Sequence, residues 1–278
     1  KAENCVKILN PLSADLNVMR QTLLFNTLEA IELNVNHRNA DLKLFELGNC
    51  YFYDEAQGND EAPLSKYTEK YRIALAVTGQ DAAPSWNVKG AQASFYTLRA
   101  AVEKLLRRFG IDIYSLRSES LDSDLYADAI ALMQGNKCMA EMGVVSPALM
   151  RKFDLKQPVY FAEIDFELIV RSAKKQRIAV EELSKFPEVK RDLALLVDKS
   201  VTFSELRQIA FATEKKLLKR VTLFDVYEGD KLPEGKKSYA LGFTLEDKTQ
   251  TLNDKVIEKT MNNLQRQLET RAGAQVRS

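Results

Sequence analysis

The sequence predicts an α+β protein in which an antiparallel-sheet domain is followed by a smaller βαββαβ domain. In residues 1–170, candidate strands follow one another with few helices between them, which favours antiparallel hairpins over a doubly wound parallel sheet. In residues 186–278, strand and helix patterns alternate in the order β-α-β-β-α-β. Residues 171–185 are charged and poor in apolar side chains, and we interpret them as the linker.

The first domain is predicted to begin with a strand at residues 5–9, followed by a turn and a mostly helical segment at residues 16–37. The helical segment carries an apolar stripe at helical spacing. Another helix is predicted at residues 94–109, and residues 58–68 are polar and predicted to be an exposed excursion. Strands are predicted at residues 42–52, 72–78, 113–119, 126–133, 139–145 and 159–166.

The second domain is predicted to contain strands at residues 191–197, 221–226, 238–245 and 274–277. Thr202 and Glu205 form a capping-box pattern that opens a helix to about residue 217. A second helix begins near Thr251 and is stopped by Gly273. This order predicts a ferredoxin-like sheet, which carries both helices on one face and leaves the other face open.

The strand at residues 238–245 shows what each face would hold, because side chains alternate along a strand. Tyr239, Leu241, Phe243 and Leu245 form a large apolar face that is suited to packing on helices. The alternate positions are small and weakly polar, which leaves room for a flat ligand; they are Ser238, Ala240, Gly242 and Thr244.

Composition describes an ordinary globular protein, with 45% hydrophobic and 28% charged residues and a net charge of +1. Residues 186–278 carry 17 Lys/Arg against 14 Asp/Glu, so any RNA site there is predicted to be local. The sequence has no run of 18 apolar residues and no signal peptide, so no membrane partner is expected. Cys5, Cys50 and Cys138 are far apart, which fits small buried side chains in a reducing cytoplasm. Because residue 1 is Lys, we expect the chain to be part of a longer one.

Catalytic patterns are weak. The glycines form no GxGxxG or P-loop pattern, and His37 is the only histidine, expected at the surface or at a helix C-terminus. Glu163 and Asp165, two apart on one strand, resemble half of a metal site, but an exposed or salt-bridged pair is the simpler interpretation. Arg20 is interpreted as structural, capping a turn or bridging to the sheet.

Several separated motifs resemble one family. The segments FPEVKRDLALLVD, LFDVYEGDKLPEGKKS, TLND and AQVRS together resemble the ferredoxin-fold anticodon-binding domain that closes the beta subunit of bacterial phenylalanyl-tRNA synthetases. The segments NPLSADLNVMRQTLLFNTLEAIELNVNHRN, LKLFELGNCYF and KQPVYFAEIDFELI resemble the class II synthetase-like module of the same subunit. Ala129, in YADAIAL, departs from an HPGRSA-like stretch of the family.

The resemblance implies a noncatalytic fragment of a phenylalanine–tRNA ligase, roughly the last third of its beta subunit. Its module at residues 1–170 is a degenerate relative of the catalytic domain and lacks the Arg that should follow the strand at residues 42–52. In this family the beta subunit joins the alpha subunit in an α2β2 assembly that uses ATP and magnesium to charge tRNA(Phe). No cofactor is expected within this fragment.

The same resemblance implies that residues 186–278 bind the anticodon of tRNA(Phe). Arg and Lys suit phosphates, Tyr suits base stacking, and Asp and Ser suit hydrogen bonds to base edges. The predicted RNA-binding residues lie at strand ends or on the expected open face; they are Arg191, Asp192, Asp225, Tyr227, Lys236, Lys237, Ser238 and Arg277.

Three alternatives stay open at this point. Arg191, Asp192 and Asp225 could instead form a buried structural ion network. The βαββαβ domain could be a stand-alone RRM, although KKSYALGF lacks the aromatic pattern of RNP1. The chain could also be a purely structural interaction module.

Overall fold

The computed structural model describes residues 2–13, 16–58, 62–175, 182, 184–229 and 232–277. Contacts divide the chain into two compact units, Lys1–Ile178 and Ala179–Ser278. In the described part of the chain, no helix has the length and apolar character needed to cross a membrane.

The first unit is built on a six-stranded sheet in which all neighbouring strands are antiparallel, in the order β1-β2-β8-β7-β6-β5. The predicted antiparallel-sheet class is therefore confirmed. A separate two-stranded sheet pairs β3 with β4. The strands are β1 (Leu42–Tyr53), β2 (Tyr67–Thr78), β3 (Gln80–Ala82), β4 (Ala91–Gln92), β5 (Arg117–Ser120), β6 (Tyr126–Gln134), β7 (Lys137–Val145) and β8 (Val159–Asp165).

Helices cover both faces of this sheet. One face packs against α1 (Leu24–Asn36) and α3 (Pro147–Lys152), and the other against α2 (Phe95–Arg108) and α4 (Phe166–Ala173). Strand β2 shows the division, because Ala74 lies in the α1 cluster whereas its neighbour Ile73 lies in the α2 cluster. The two clusters make the first unit a three-layered domain.

The N-terminal segment differs from the prediction. Residues 5–9 form no strand; Lys7 makes an isolated antiparallel bridge with Val18 instead. The helix predicted from residue 16 begins only at Leu24. Residues 17–19 run extended because their backbone pairs with residues 6–8, as in the hydrogen bond from Met19 N to Val6 O at 2.8 Å.

Glu163 determines where α1 starts. Its Oε1 accepts hydrogen bonds from Leu23 N at 2.8 Å and from Thr22 Oγ1 at 2.9 Å. A carboxylate at a helix N-terminus satisfies amide groups that have no partner inside the helix. Glu163 therefore has a structural role at the start of α1.

Asp165 caps α4. Its Oδ1 accepts from Leu168 N at 2.9 Å, and its Oδ2 lies 3.7 Å from Arg72 Nη1. The salt-bridged interpretation of this residue fits the structure. Helix α4 continues to Ala173, so residues 171–173 of the predicted linker are helical. Residues 176–181 and 183 of that linker lie outside the described residues.

Ionisation of Glu141 lowers the stability of the folded first unit. It lies opposite Glu163 in the β7–β8 pairing, and burial together with the Glu163 carboxylate raises the pKa of Glu141 above 4.5. The folded state thus holds the Glu141 proton more tightly than the unfolded chain does. Stability is greatest below the unfolded-state pKa and declines as the pH rises through the folded-state pKa.

We expect Glu141→Gln to raise the free energy of unfolding at neutral pH and to flatten its decline above pH 4.5. The amide keeps the shape of the side chain but removes the repulsion from Glu163. Urea unfolding of both proteins across this pH range measures the effect. A variant that is less stable at neutral pH would show that the ionised carboxylate contributes favourably.

The second unit has the predicted βαββαβ order. Its elements are β9 (Val189–Asp198), α5 (Phe203–Thr213), β10 (Leu218–Tyr227), β11 (Lys236–Leu245), α6 (Asp254–Ala272) and β12 (Gln275–Val276). The sheet order is β10-β11-β9-β12, with antiparallel neighbours throughout. The ferredoxin-like prediction is confirmed.

Local signals set the ends of both helices. Thr202 Oγ1 accepts from Glu205 N at 3.2 Å and caps α5, as predicted. Helix α5 ends at Thr213, earlier than predicted, because Glu214 Oε1 accepts from the amides of residues 216 and 217 and turns the chain toward β10. Asn253 caps α6, and Gly273 at φ 60° ends it.

Both helices of this unit pack on one sheet face. Leu206 of α5 and Leu264 of α6 are buried with Leu195, Leu241 and Phe243 of the sheet. The large apolar face predicted for β11 is therefore the helix-packed face. No helix in the described part of this unit covers the other face, which we call the open face.

Candidate nucleic-acid interface

The open face of the second unit is formed by alternate residues of its three long strands. Strand pairing fixes which residues share this face, because each lies opposite another residue of the same set. The set comprises Lys190, Asp192, Ala194, Leu196 and Asp198 of β9; Arg220, Thr222, Asp225 and Tyr227 of β10; and Lys236, Ser238, Ala240, Gly242 and Thr244 of β11.

Tyr227 and Arg277 lie close together on this face. Arg277 N donates to Ala194 O at 2.8 Å, and the Arg277 guanidinium lies 5.8 Å from the centre of the Tyr227 ring. The outer strands β10 and β12 are separated by two strands, which places them about 14 Å apart at the usual spacing. The two side chains therefore reach toward each other over β9 and β11.

Tyr227 is 37% exposed, whereas Ser238, its partner in the strand pairing, is only 7% exposed. An aromatic ring, a guanidinium and a hydroxyl are thus brought together. We define Tyr227, Ser238 and Arg277 as the aromatic platform. Such a platform can stack a base and hydrogen-bond to its edge.

Charged groups border the platform. Asp225 is exposed and lies two residues before Tyr227 on the same face. Lys236 Nζ lies 2.8 Å from Asp198 Oδ1 at the end of β9. This part of the open face therefore offers both a carboxylate acceptor and ammonium and guanidinium donors.

Two predicted RNA-binding residues lie on the helix-packed side of the sheet and not on the open face. Lys237 is only 8% exposed; its Nζ donates to Lys199 O at 2.8 Å and lies 4.7 Å from the centre of the Tyr239 ring. Arg191 lies opposite Phe243 on the same helix-packed side, exposed at the sheet edge, and donates to Lys190 O. Alternation explains this placement, since their neighbours Ser238 and Asp192 take the open face.

The proposed buried ion network is not formed. Arg191, Asp192 and Asp225 are all exposed. In the part of the chain that the structure describes, no salt bridge joins them.

The open face also contains a cleft that the sequence analysis missed. Its volume is about 350 Å³, and it lies over Gly242, at the other end of β11 from the platform. A β-bulge between Leu223 and Asp225 exposes Phe224 there, where two large apolar residues, Leu223 and Phe224, follow each other in the sequence. The lining residues are Lys190, Asp192, Arg220, Thr222, Phe224, Gly242, Phe243 and Thr244.

The described side chains of the first unit are poorly suited to catalysis or to metal binding. Arg20 bridges to the sheet, with Nη1 2.6 Å from Glu46 Oε1 and Nε donating to Asn49 O at 3.0 Å. Burial raises the pKa of Cys50 and of Cys138 to about 11, so both stay protonated at neutral pH and are poor nucleophiles and metal ligands. Among the described residues, no His, Cys, Asp and Glu side chains cluster in a way that could hold a metal.

His37 has the role expected for it. It is the residue that follows α1, and its backbone N–H donates to Asn34 O and Leu33 O. Arg38 then adopts a left-handed conformation at φ 63°, which ends the helix.

A ferredoxin-like sheet with an aromatic ring and basic groups on its open face is typical of RNA-binding modules. Comparison with known families identifies which module each unit resembles. Residues 1–166 match the family model described as phenylalanyl tRNA synthetase beta chain CLM domain, and residues 184–277 match the ferredoxin-fold anticodon binding domain. The chain belongs to the phenylalanyl-tRNA synthetase beta chain family.

Individual relatives agree with the family models. The chain is 48% identical to the phenylalanine–tRNA ligase beta subunit of Bacteroides thetaiotaomicron, over 99% of this chain and 34% of the relative. It is 44% identical to the same subunit of Porphyromonas gingivalis, with the same shares covered. The chain thus spans about a third of the length of these relatives.

A solved structure also aligns with this chain, the pyrrolysyl-tRNA synthetase from Desulfitobacterium hafniense. The identity is 16% and the TM-score 0.45, over 62% of this chain and 54% of that protein. A score this low carries no argument about fold or function.

Proposed function

We propose that this chain is part of a phenylalanine–tRNA ligase beta subunit and that its ferredoxin-fold unit binds the anticodon loop of tRNA(Phe). The observation that carries the proposal is the aromatic platform on the open face, within a unit that matches the anticodon-binding family model. Loop bases are unstacked and splayed, so their faces and edges are accessible to such a platform.

Each group on this half of the face has a role in the proposal. The Tyr227 ring stacks on one anticodon base, and Ser238 and Asp225 hydrogen-bond to base edges. Lys236 and Arg277 contact phosphates, and Arg277 also holds the Tyr227 ring in place. Asp192, also in the predicted set, lies in the separate cleft.

Binding of the chain to tRNA(Phe) and to an anticodon-substituted tRNA, at two salt concentrations, tests this function. We expect tighter binding to tRNA(Phe) at both concentrations. Equal, strongly salt-dependent affinities would indicate phosphate contacts without base recognition, and would contradict anticodon readout.

Neighbouring lysines on opposite faces provide a matched pair for the next prediction. Lys236→Gln should weaken tRNA binding and reduce the magnitude of the slope of log affinity against log salt by about 1, because one phosphate contact is lost. Lys237→Met should leave the slope unchanged, because the Lys237 ammonium donates to Lys199 O on the side of the sheet away from the open face. Equal slopes for Lys236→Gln and the unmodified chain would show that Lys236 does not contact a phosphate.

The proposed holoenzyme uses ATP and magnesium, and we assign neither to this chain. Two guanidinium groups of the first unit already form ion pairs, Arg20 with Glu46 and Arg72 with Asp165. The described residues also contain no metal-binding cluster. These side chains do not fit a nucleotide–magnesium site, so the first unit is proposed to be noncatalytic, in a cytoplasmic enzyme.

The first unit is proposed to pack against the catalytic alpha subunit of an α2β2 assembly. Large apolar side chains are exposed on it, among them Phe45, Leu64 and Tyr96. Trp86, the chain's only tryptophan, is 97% exposed in the β3–β4 connection, where Ser85 N donates to Val88 O at 2.9 Å. Exposed aromatic groups held on ordered turns are characteristic of protein interfaces.

We expect Trp86→Ser to weaken association with the alpha subunit by about 1–2 kcal/mol, the range of a moderate interface anchor. The melting temperature of the isolated chain should hardly change, since the indole makes few contacts within it. Co-purification and titration with the alpha subunit measure the effect. Unchanged affinity would place Trp86 outside this interface.

A stand-alone RRM is not supported, because the second unit matches the anticodon-binding family and the first matches the beta-chain family. If the chain is a purely structural module, changes at Tyr227 and Lys236 should leave tRNA binding intact. The binding measurements on the Tyr227 and Lys236 variants test this.

A further inference from the structure

The cleft at Gly242 is a second place on the open face where a flat group can lie. The absence of a side chain at Gly242 opens it: a Cβ there would lie 2.8 Å from Thr222 Oγ1 and 3.3 Å from Asp192 Oδ1. The same Cβ would lie 3.8 Å from Phe224 Cδ1. Two polar oxygens and an aromatic edge therefore converge on one small surface.

Phe224 is unusual among the aromatic residues of this unit. It is 59% exposed, although it lies within a strand whose neighbours Val221 and Leu223 pack in the core. The β-bulge turns it out of the alternation and onto the open face. An exposed ring beside an open cleft provides a stacking surface that the fold itself leaves unused.

Positive charge borders the cleft. Lys190 and Arg220 line the cleft. Arg220 Nη2 lies 3.5 Å from Glu188 Oε2. This ion pair is long and exposed, so a phosphate can take the place of Glu188. Asp192 is the only acidic residue in the lining. An anionic group with a flat, hydrogen-bonding ring matches these features.

The cleft is separate from the aromatic platform. Gly242 and Ser238 are four residues apart on β11, which is about 13 Å along a strand. Stacked nucleotides rise only about 3.4 Å each. Bases held at both places are therefore not stacked on one another directly, as expected for a splayed loop.

We propose that this cleft binds a second nucleotide of the same single-stranded RNA loop. The base stacks on Phe224, Thr222 and Asp192 hydrogen-bond to its edge, and Lys190 and Arg220 bind its phosphate. This inference rests on the proposed function, because the platform and the cleft would hold two nucleotides of one loop.

The test measures affinity of the full chain for anticodon stem–loops of tRNA(Phe) that carry a single abasic nucleotide at each loop position in turn. Phe224→Ala should lower affinity for the intact stem–loop about fivefold or more, the usual loss for one stacked base. For a stem–loop that is abasic at one particular position, Phe224→Ala should cause no further loss of affinity. That position should differ from the one that abolishes the effect of Tyr227→Ala.

Two further variants support the interpretation. Arg220→Gln should weaken binding and reduce the magnitude of the salt slope, whereas Val226→Ala, on the opposite side of the same strand, should do neither. The inference is overturned if the chain binds and Tyr227→Ala weakens binding while Phe224→Ala and Arg220→Gln do not. It is also overturned if Phe224 and Tyr227 respond to the same abasic position. No binding by the unmodified chain would instead overturn the proposed function itself.

Discussion

Replacing Tyr227 with alanine is expected to lower the affinity of the chain for tRNA(Phe) about 5- to 150-fold, which corresponds to about 1–3 kcal/mol for a lost base stack. The Tyr227 ring is partly exposed above Ser238, and its removal also frees the Arg277 guanidinium that lies 5.8 Å from it. The loss should be largest for tRNA with its own anticodon, because the ring contacts a base. It should hardly depend on salt, since no phosphate contact is removed directly.

Equilibrium binding with tRNA(Phe) and the anticodon-substituted tRNA measures this effect. Tyr227→Phe is the matched control, because it keeps the stacking surface and should retain most of the affinity. Thermal unfolding should be nearly unchanged, as the ring lies at the surface of the sheet. An alanine variant that binds both tRNAs as the unmodified chain does would show that Tyr227 does not contact RNA.

Phe243→Ala should destabilise the second unit by about 3–5 kcal/mol, the usual cost of removing a buried phenylalanine side chain. Phe243 is fully buried in the core cluster between the sheet and α5 and α6. Domains of this size are stable by only about 5–15 kcal/mol, so the change takes a large fraction of the total. RNA binding would then decline through unfolding and not through lost contacts.

Urea unfolding monitored by circular dichroism measures the loss, and Val226→Ala is its control on an exposed position of the same sheet. The control should change the free energy of unfolding by less than about 0.5 kcal/mol. A loss below about 1 kcal/mol for Phe243→Ala would contradict the central position of this ring in the core.

Most of the second unit followed from its sequence because its signals are local. Alternation in residues 238–245 predicted which side chains pack on the helices, and the cap at Thr202 predicted the start of α5. The same alternation, applied to Lys237 and Arg191, predicts the helix-packed side where the structure places them. Both residues were predicted to bind RNA because they lie near strand ends and their charge suits phosphates.

The features that the sequence did not reveal depend on distant partners or on irregular backbone. The start of α1 is determined by Glu163, which is 140 residues from Leu23 in the chain. Phe224 reaches the open face only because of the bulge in β10, so strict alternation cannot place it. The contact between Arg277 and Tyr227 joins the two outer strands and depends on the complete sheet.

The most direct test of the central claim is to map the contact surface of the anticodon stem–loop of tRNA(Phe) on the chain by amide chemical-shift perturbation. We predict that the affected amides lie in β9, β10 and β11 around Ser238, Ala240 and Gly242, with little change along the outer faces of α5 and α6. Perturbations confined to the helices, with the sheet unaffected, would show that the open face is not the RNA-binding surface.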